Sequence, residues 1–182
     1  MYIWTGIDVD DQLQTVKSAV KSARNTLGYS NIYSSLPYHI SLKMPFCIED
    51  EKVSDVVKSI LGLYEKADNI NVSVRGIERE NGIVWIKMSE NSTLNSLCDE
   101  LNELLKTEYG VEIQEYDVDH EFHITLLIDD NEQLIGQAFD LVKDADTPRE
   151  LSLNNLVVGI SETGEPGTYR YIVAAKNSFC NE

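Results

Sequence analysis

Two short segments of this chain carry residues whose types and spacing could move protons. The first is His-Ile-Ser at residues 39–41 and the second is His-Ile-Thr at residues 123–125. The chain holds three histidines, so two of the three stand in this pattern. Because an imidazole has an ordinary pKa near 6.5, one histidine can accept a proton while another donates one near neutral pH. The pair of segments therefore suits acid–base chemistry at a phosphate ester.

Both segments predict buried strands, at about 37–44 and 122–128, because they are rich in residues that favour strands. Side chains alternate across a strand, so the hydroxyl residue two places after each histidine, Ser41 or Thr125, lies on the same face as that histidine. The apolar neighbours point to the opposite face, where a core would lie. Each hydroxyl could donate a hydrogen bond to a phosphate oxygen on which negative charge develops.

The same alternation places Lys43 on the face of His39 and Ser41, where its charge could attract a phosphate. The alternative is a lysine at the end of the strand with its ammonium group in water. Tyr38 has the opposite parity, and we expect it to pack against other residues.

Apolar periodicity and turn residues predict the remaining elements. Predicted helices run from Asp10 or Asp11 to a stop at Gly28, over about 50–65, from about Ser92 to Lys106, and over about 131–143. Predicted strands are Tyr2–Val9, Ile70–Ile77, Ile83–Met88, Leu151–Ile160 and Tyr169–Ala175.

This order of elements occurs twice along the chain. His123 lies 84 residues after His39, and the distances from His39 to Trp85 and from His123 to Tyr171 are 46 and 48 residues. A repeat of this length indicates two similar lobes rather than a solenoid. Two lobes related by an approximate two-fold axis would bring the two histidine strands face to face across a cleft.

Charge and composition limit the partners. The net charge is −16, from 31 acidic and 15 basic residues, which disfavours a long nucleic acid because such binding neutralises many phosphates. A small substrate needs only a local positive pocket. The candidates to provide it are Lys43, Arg170, Arg75 and Lys87.

The length of 182 residues suits one domain, or two small lobes that share a core. We find no apolar stretch as long as a membrane span. The first residues lack a basic region and a long apolar region, so we expect no secretory signal. Cys47, Cys98 and Cys180 fit neither a disulfide framework nor a zinc-ligand pattern. We therefore expect a cytoplasmic protein, acting as a monomer.

At His39-Ile40-Ser41-Leu42 and His123-Ile124-Thr125-Leu126 the chain resembles the 2H (two-histidine) phosphoesterase superfamily. This superfamily includes the so-called 2′-5′ RNA ligases and the cyclic nucleotide phosphodiesterases, and its pattern is His-x-Ser/Thr-x used twice. The resemblance covers nearly the whole chain, since the repeated order of elements also matches.

The resemblance implies an α/β (α+β) fold of a single domain made of two similar lobes, with antiparallel sheets lining a central groove and helices outside. It implies that His39 and His123 are catalytic and that Ser41, Thr125 and Lys43 bind substrate. It also implies metal-independent hydrolysis of 2′,3′-cyclic, 2′-5′ or related phosphodiesters of small nucleotides.

Three other functions stay open at this point. The first is a 2′-5′ RNA ligase or RNA end-processing enzyme of the same fold, against which the acidity argues. The second is a non-catalytic nucleotide-binding module, against which the intact motifs argue. The third is a metal-dependent hydrolase, since His120 and Glu121 precede His123 closely. That spacing is one residue short of His-Glu-x-x-His, and on a strand positions 120 and 123 have opposite parity, so we expect no metal and no cofactor.

The loops at Asn25–Leu36 and Ser161–Thr168 are expected to carry substrate specificity. The aromatic residues Tyr169 and Tyr171, with Arg170 between them, lie on the last predicted strand, which could border the second histidine motif. One of these aromatic rings could stack on a base, although packing within the sheet is the simpler expectation.

Overall fold

The computed structural model describes residues 1–30, 37–118 and 121–175, and His120 and half of the Asn25–Leu36 loop lie outside these ranges. Within them the strands are β1 Tyr2–Asp8, β2 His39–Cys47, β3 Ile70–Glu80, β4 Ile83–Met88, β5 His123–Ile128, β6 Glu150–Leu153, β7 Asn155–Ser161 and β8 Arg170–Ala175. The α-helices are α1 Gln14–Leu27, α2 Val53–Lys66, α3 Ser92–Tyr109 and α4 Glu132–Val142.

Two antiparallel sheets organise the molecule. One has the strand order β2-β1-β7-β8 and the other has the order β5-β4-β3-β6. Each sheet therefore combines the histidine strand of one half of the chain with strands from the other half. The predicted bilobal, duplicated fold is confirmed, and its two lobes are built by exchange between the halves.

Local sequence sets the ends of the helices. Helix α1 stops at Gly28, whose φ of 63° lies in the left-handed region that glycine adopts without strain. Helix α3 starts after Asn91, whose side chain accepts a hydrogen bond from the Leu94 amide at 2.9 Å. The predicted cap of α1 at Asp10 or Asp11 is wrong, because Asp10–Gln12 forms a separate 3₁₀ turn and α1 begins at Gln14.

The predicted strand Leu151–Ile160 is two strands. Its first part, β6, pairs with β3, and its second part, β7, pairs with β1 in the other sheet. The chain changes sheets at Asn154, which is exposed between two buried apolar runs. The residues on both sides of the break are apolar, so the sequence predicts one continuous strand. An apolar pattern indicates that a strand is buried but does not indicate which strand it pairs with.

Buried apolar side chains from both sheets and all four of these helices form one continuous cluster. Helix α1 packs against α4, and α2 packs against α3. Strands β2 and β5 contact each other, which brings the two histidine strands to the junction of the sheets. No helix in the described part of the chain is long and apolar enough to span a bilayer.

Candidate active site

The four motif residues lie together at the junction of β2 and β5. His39, Ser41, His123 and Thr125 all line one cavity of about 380 Å³. Each histidine stands on the strand face that also carries its hydroxyl residue, as the alternation predicts. The arrangement places two imidazoles and two hydroxyls around one space.

Each imidazole is held by a carbonyl two residues before it. His39 Nδ1 lies 2.8 Å from Pro37 O, and His123 Nδ1 lies 2.8 Å from Glu121 O. Because a carbonyl oxygen can only accept a hydrogen bond, both Nδ1 atoms carry a proton. In each neutral ring Nε2 is therefore the atom that can accept a proton.

A tryptophan packs against each imidazole. The ring centroids of Trp4 and His39 are 4.5 Å apart, and those of Trp85 and His123 are 4.7 Å apart. Trp4 Nε1 also donates a long hydrogen bond of 3.4 Å to Ser41 Oγ, so the proton of that hydroxyl stays available for another acceptor.

The sequence interpretation missed the packing of a tryptophan against each histidine. The sequence does contain a signal for it, because the chain has two tryptophans and they precede the two histidines by 35 and 38 residues. The structure thus makes Trp4 and Trp85 the equivalent positions, on β1 and β4, instead of Trp85 and Tyr171. The repeat begins at β1.

Both histidine strands contain a β-bulge just after the motif. In β2, Gly6 pairs with Ser41 and Thr5 pairs with Lys43, which leaves Leu42 as an extra residue. The register of β5 shifts in the same way between Thr125 and Leu127. An extra residue reverses the alternation of side chains beyond it.

The bulge corrects the expectation for Lys43. Its side chain is 2% exposed, and its ammonium group forms an ion pair with Asp117 instead of pointing to the groove. Lys43 Nζ also lies 3.5 Å from Glu112 O. Lys43 lines a smaller cavity together with Ser41 and His123, but its charge is paired with Asp117, and it does not line the cavity that both histidines share.

The charges around the two histidines differ. Asp8 lies opposite His39 on β1, whereas Lys87 lies opposite His123 on β4 and forms an ion pair with Glu121. Burial lowers the pKa of His39, the Pro37 carbonyl and Asp8 oppose this shift, and His123 adds to it. His39 is consequently neutral at neutral pH.

The walls of the cavity come from both sheets. Arg24, at the end of α1, lines one part, and its Nη2 donates to Leu126 O at 3.2 Å. Tyr169 and Tyr171 line another part. Tyr171 lies in the sheet of His39, with its ring 6.2 Å from that of Trp4. The last strand therefore does not pair with β5, although both tyrosines line the same cavity as His123 and Thr125.

The predicted cations lie elsewhere. Arg170 is exposed and does not line the cavity, and Arg75 and Lys87 line a separate cavity together with three acidic residues, Glu90, Asp99 and Glu121. The sequence interpretation missed Arg24. The apolar periodicity of α1 predicts the helix but not the contact of Arg24 with Leu126, which lies 102 residues later in the chain.

The described residues contain no cluster of three or more histidine, cysteine, aspartate or glutamate side chains that could hold a metal ion. His120, which was considered for such a cluster, lies outside the ranges that the structure describes. Cys47 and Cys98 are both free thiols, and burial raises the pKa of Cys98 to about 12.

A model of the 2′-5′ RNA ligase superfamily matches residues 9–165 of this chain. The chain belongs to this superfamily. The resemblance to the 2H phosphoesterases drawn from the two motifs is thereby confirmed. Among curated proteins, a candidate phosphoesterase of Geobacillus sp. (strain WCH70) is 28% identical over 77 residues, so the match spans 41% of this chain and 44% of that protein.

Solved structures share the fold of this superfamily member over most of its length. E. coli LigT in its apo form is 16% identical with a TM-score of 0.59, covering 94% of this chain and 93% of LigT. TT0787 of Thermus thermophilus is 18% identical with a TM-score of 0.58, covering 95% of this chain and 94% of TT0787. LigT complexed with 3′-AMP is 14% identical with a TM-score of 0.53, covering 96% of each chain.

Proposed function

We propose that this protein is a metal-independent phosphodiesterase that hydrolyses 2′,3′-cyclic, 2′-5′ or related phosphodiesters of small nucleotides. The observation that carries the proposal is the pair of imidazoles at one cavity, each with its Nδ1 proton committed to a carbonyl. This arrangement frees both Nε2 atoms for proton transfer, and each has a hydroxyl residue on the same strand face.

The lowered pKa of His39 suits it to be the base. Its Nε2 takes a proton from water as the water oxygen bonds to phosphorus. The bond from phosphorus to the leaving ribose oxygen breaks, and that oxygen takes the proton from Nε2 of a protonated His123. The product is a phosphomonoester with a free ribose hydroxyl, and exchange with solvent restores the two protonation states.

Ser41 and Thr125 act on the phosphate itself. Their hydroxyls donate hydrogen bonds to the non-bridging oxygens, on which negative charge concentrates during the attack. Ser41 can do so because the Trp4 indole occupies its oxygen as an acceptor and leaves its proton free. Arg24, which lines the same cavity, adds positive charge to a chain of net charge −16.

A small substrate fits the site better than a long polymer. The cavity of about 380 Å³ falls near the lower end of the usual range for small-molecule pockets. The acidity of the chain opposes a polyanion that extends beyond the cleft. LigT, which shares the fold, has been crystallised with NADP⁺, 3′-AMP and ATP, all small nucleotides.

RNA end processing or 2′-5′ RNA ligation is the second candidate, favoured by the name of the superfamily. A non-catalytic nucleotide-binding module is the third, and the presence of two imidazoles at one cavity, each bound to a carbonyl through Nδ1, argues against it. We further propose that the chain acts as a monomeric single domain in the cytoplasm.

A substrate screen tests the proposal. The purified protein is incubated with 2′,3′-cyclic nucleotides, 2′-5′ oligonucleotides and an ADP-ribose cyclic phosphate, each with and without EDTA, and products are separated by chromatography. We expect a phosphomonoester product in both conditions. Turnover that EDTA abolishes and zinc restores would favour a metal-dependent hydrolase, and binding without turnover would favour the binding module.

A further inference from the structure

A second, smaller cavity opens beside His123. Its volume is about 240 Å³, and it shares Ser41, Met44 and His123 with the larger cavity. The two cavities therefore meet at the motif residues. A substrate whose phosphate lies at the histidines could extend into both.

The smaller cavity is mainly apolar. Met44 and Tyr116 line it while remaining 43% and 51% exposed, and Trp85 and Phe122 line it as well. Large apolar side chains that face a cavity and stay open to water are suited to contact a flat, apolar ligand surface. The face of a nucleobase has this character, and bases stack on aromatic side chains.

The Tyr116 wall is held in place by buried polar groups. Tyr116 lies in a 3₁₀ turn, Glu115–Asp117, and the adjoining Asp117 side chain is fully buried in its ion pair with Lys43. The same carboxylate accepts from the Gln114 amide at 2.8 Å, and Asn102 Nδ2 donates to Asp117 O at 3.3 Å. These contacts tie the turn to β2 and to α3.

We propose that the smaller cavity binds the second nucleoside of an internucleotide phosphodiester, with its base against Tyr116 and Met44, and that the Lys43–Asp117 ion pair positions the Tyr116 wall. This inference rests on the proposed function. It makes a 2′-5′-linked dinucleotide a better match to the whole cleft than a cyclic mononucleotide. It also assigns Lys43 a positioning role instead of contact with the phosphate.

Tyr116→Ala tests the base contact. We expect KM for 2′-5′-linked ApA to rise about tenfold or more with little change in kcat, because a base stack is lost. KM for 2′,3′-cyclic AMP should change far less, since this substrate has no second base. The control is Ile113→Ala, an exposed side chain of the same loop that does not line the cavity. An equal change for both substrates, or none for ApA, would overturn the inference.

The positioning role needs both members of the ion pair to be changed, because removing one leaves a buried charge. Lys43→Met combined with Asp117→Asn keeps an acceptor for the Gln114 amide. We expect this double variant to raise KM for ApA as Tyr116→Ala does, with no further rise when Tyr116→Ala is added. A folded double variant with normal KM for ApA, or with equal losses on both substrates, would refute the positioning role.

Binding separates this inference from the proposed function. If the wild-type protein hydrolyses none of the phosphodiesters in the substrate screen, the proposed function fails, and calorimetry with ApA and 2′-AMP decides the inference. Tighter binding of ApA that Tyr116→Ala abolishes would support the second nucleoside site. Equal affinity for the two ligands would overturn it.

Discussion

At the scale of single residues, the candidate site contains the same arrangement of contacts around each of its two histidines. A backbone carbonyl takes the Nδ1 proton of each imidazole, a tryptophan packs against its ring, and a hydroxyl residue follows two places later. The spacing of the sequence predicted His39, Ser41, His123 and Thr125, because strand parity holds over three residues. It failed at Lys43, because parity ends at the bulge that follows each motif.

Ser41→Ala and Thr125→Ala should each lower kcat less than loss of a histidine. Each change removes one hydrogen bond to a charged phosphate, which corresponds to about 10-fold to 100-fold. Steady-state kinetics on a substrate from the screen measures both effects. A loss as large as that of a histidine variant would show that the hydroxyl has more than this role.

The pKa of His39 predicts how stability depends on pH. Burial lowers this pKa, so the unfolded chain binds the proton at higher pH than the folded chain does. Lowering the pH from about 7.5 to about 5.5 should therefore cost the wild type more stability than His39→Gln, which has no proton to bind at that position. Urea unfolding at both values measures the difference. Parallel losses in the two proteins would contradict the lowered pKa.

At the scale of elements, glycine shapes the sheet under the cleft. Trp4, Gly159 and Tyr171 are neighbours across β1, β7 and β8, and Gly6 lies beside Trp4 on the same strand. A Cβ on Gly6 would lie 2.6 Å from Ile40 O and 2.8 Å from the Trp4 ring. Gly6 therefore lets the backbone of β2 and the ring that packs on His39 approach β1 closely.

Gly6→Ala should displace Trp4 or separate β1 from β2, and so move His39. We expect kcat/KM to fall about tenfold to hundredfold, as small misplacements of reacting groups do, with a change in tryptophan fluorescence. The matched control is Gly62→Ala in α2, where an added Cβ would meet no atom within 4 Å. We expect this substitution to stabilise the helix by about 0.5–1 kcal/mol, because alanine loses less backbone entropy than glycine. Normal activity in Gly6→Ala would show that the packing of Trp4 does not position His39.

The elements were predictable where local signals determine them. Gly28 ends α1 as its sequence indicates, and β4 has the predicted bounds Ile83–Met88. The division of Leu151–Ile160 between two sheets was not predictable, because both parts are apolar and the choice of partner depends on distant strands. The contact between Arg24 and Leu126 was not predictable either, because it joins two elements that are distant in the sequence.

At the scale of the whole molecule, the spacing of the motifs predicted the duplication but not the exchange of strands. The fold brings together a cleft with local positive charge from Arg24 in a chain of net charge −16. The charge of the whole molecule thus opposes long polyanions, while Arg24 offers a local positive charge to the small phosphodiester that we propose as substrate.

Salt dependence of binding follows from this charge distribution. A His39→Ala, His123→Ala double variant should bind a small nucleotide diester with a slope of log K against log salt no steeper than about −0.7, the value for one neutralised phosphate on a single strand. Binding to an RNA of about twenty nucleotides should be weaker over about 50–200 mM salt. Tight and steeply salt-dependent binding to the RNA alone would favour RNA processing.

The most direct measurement is kcat for His39→Gln and His123→Gln, each beside the wild type, on a phosphodiester that the screen identifies. Glutamine places a neutral amide near the position of Nε2, where it can still form hydrogen bonds, but it cannot transfer the proton. We predict that each folded variant loses about 10²–10⁴ in kcat, the usual contribution of a general acid or base. Near-normal turnover in either folded variant would contradict two-histidine catalysis in this cleft.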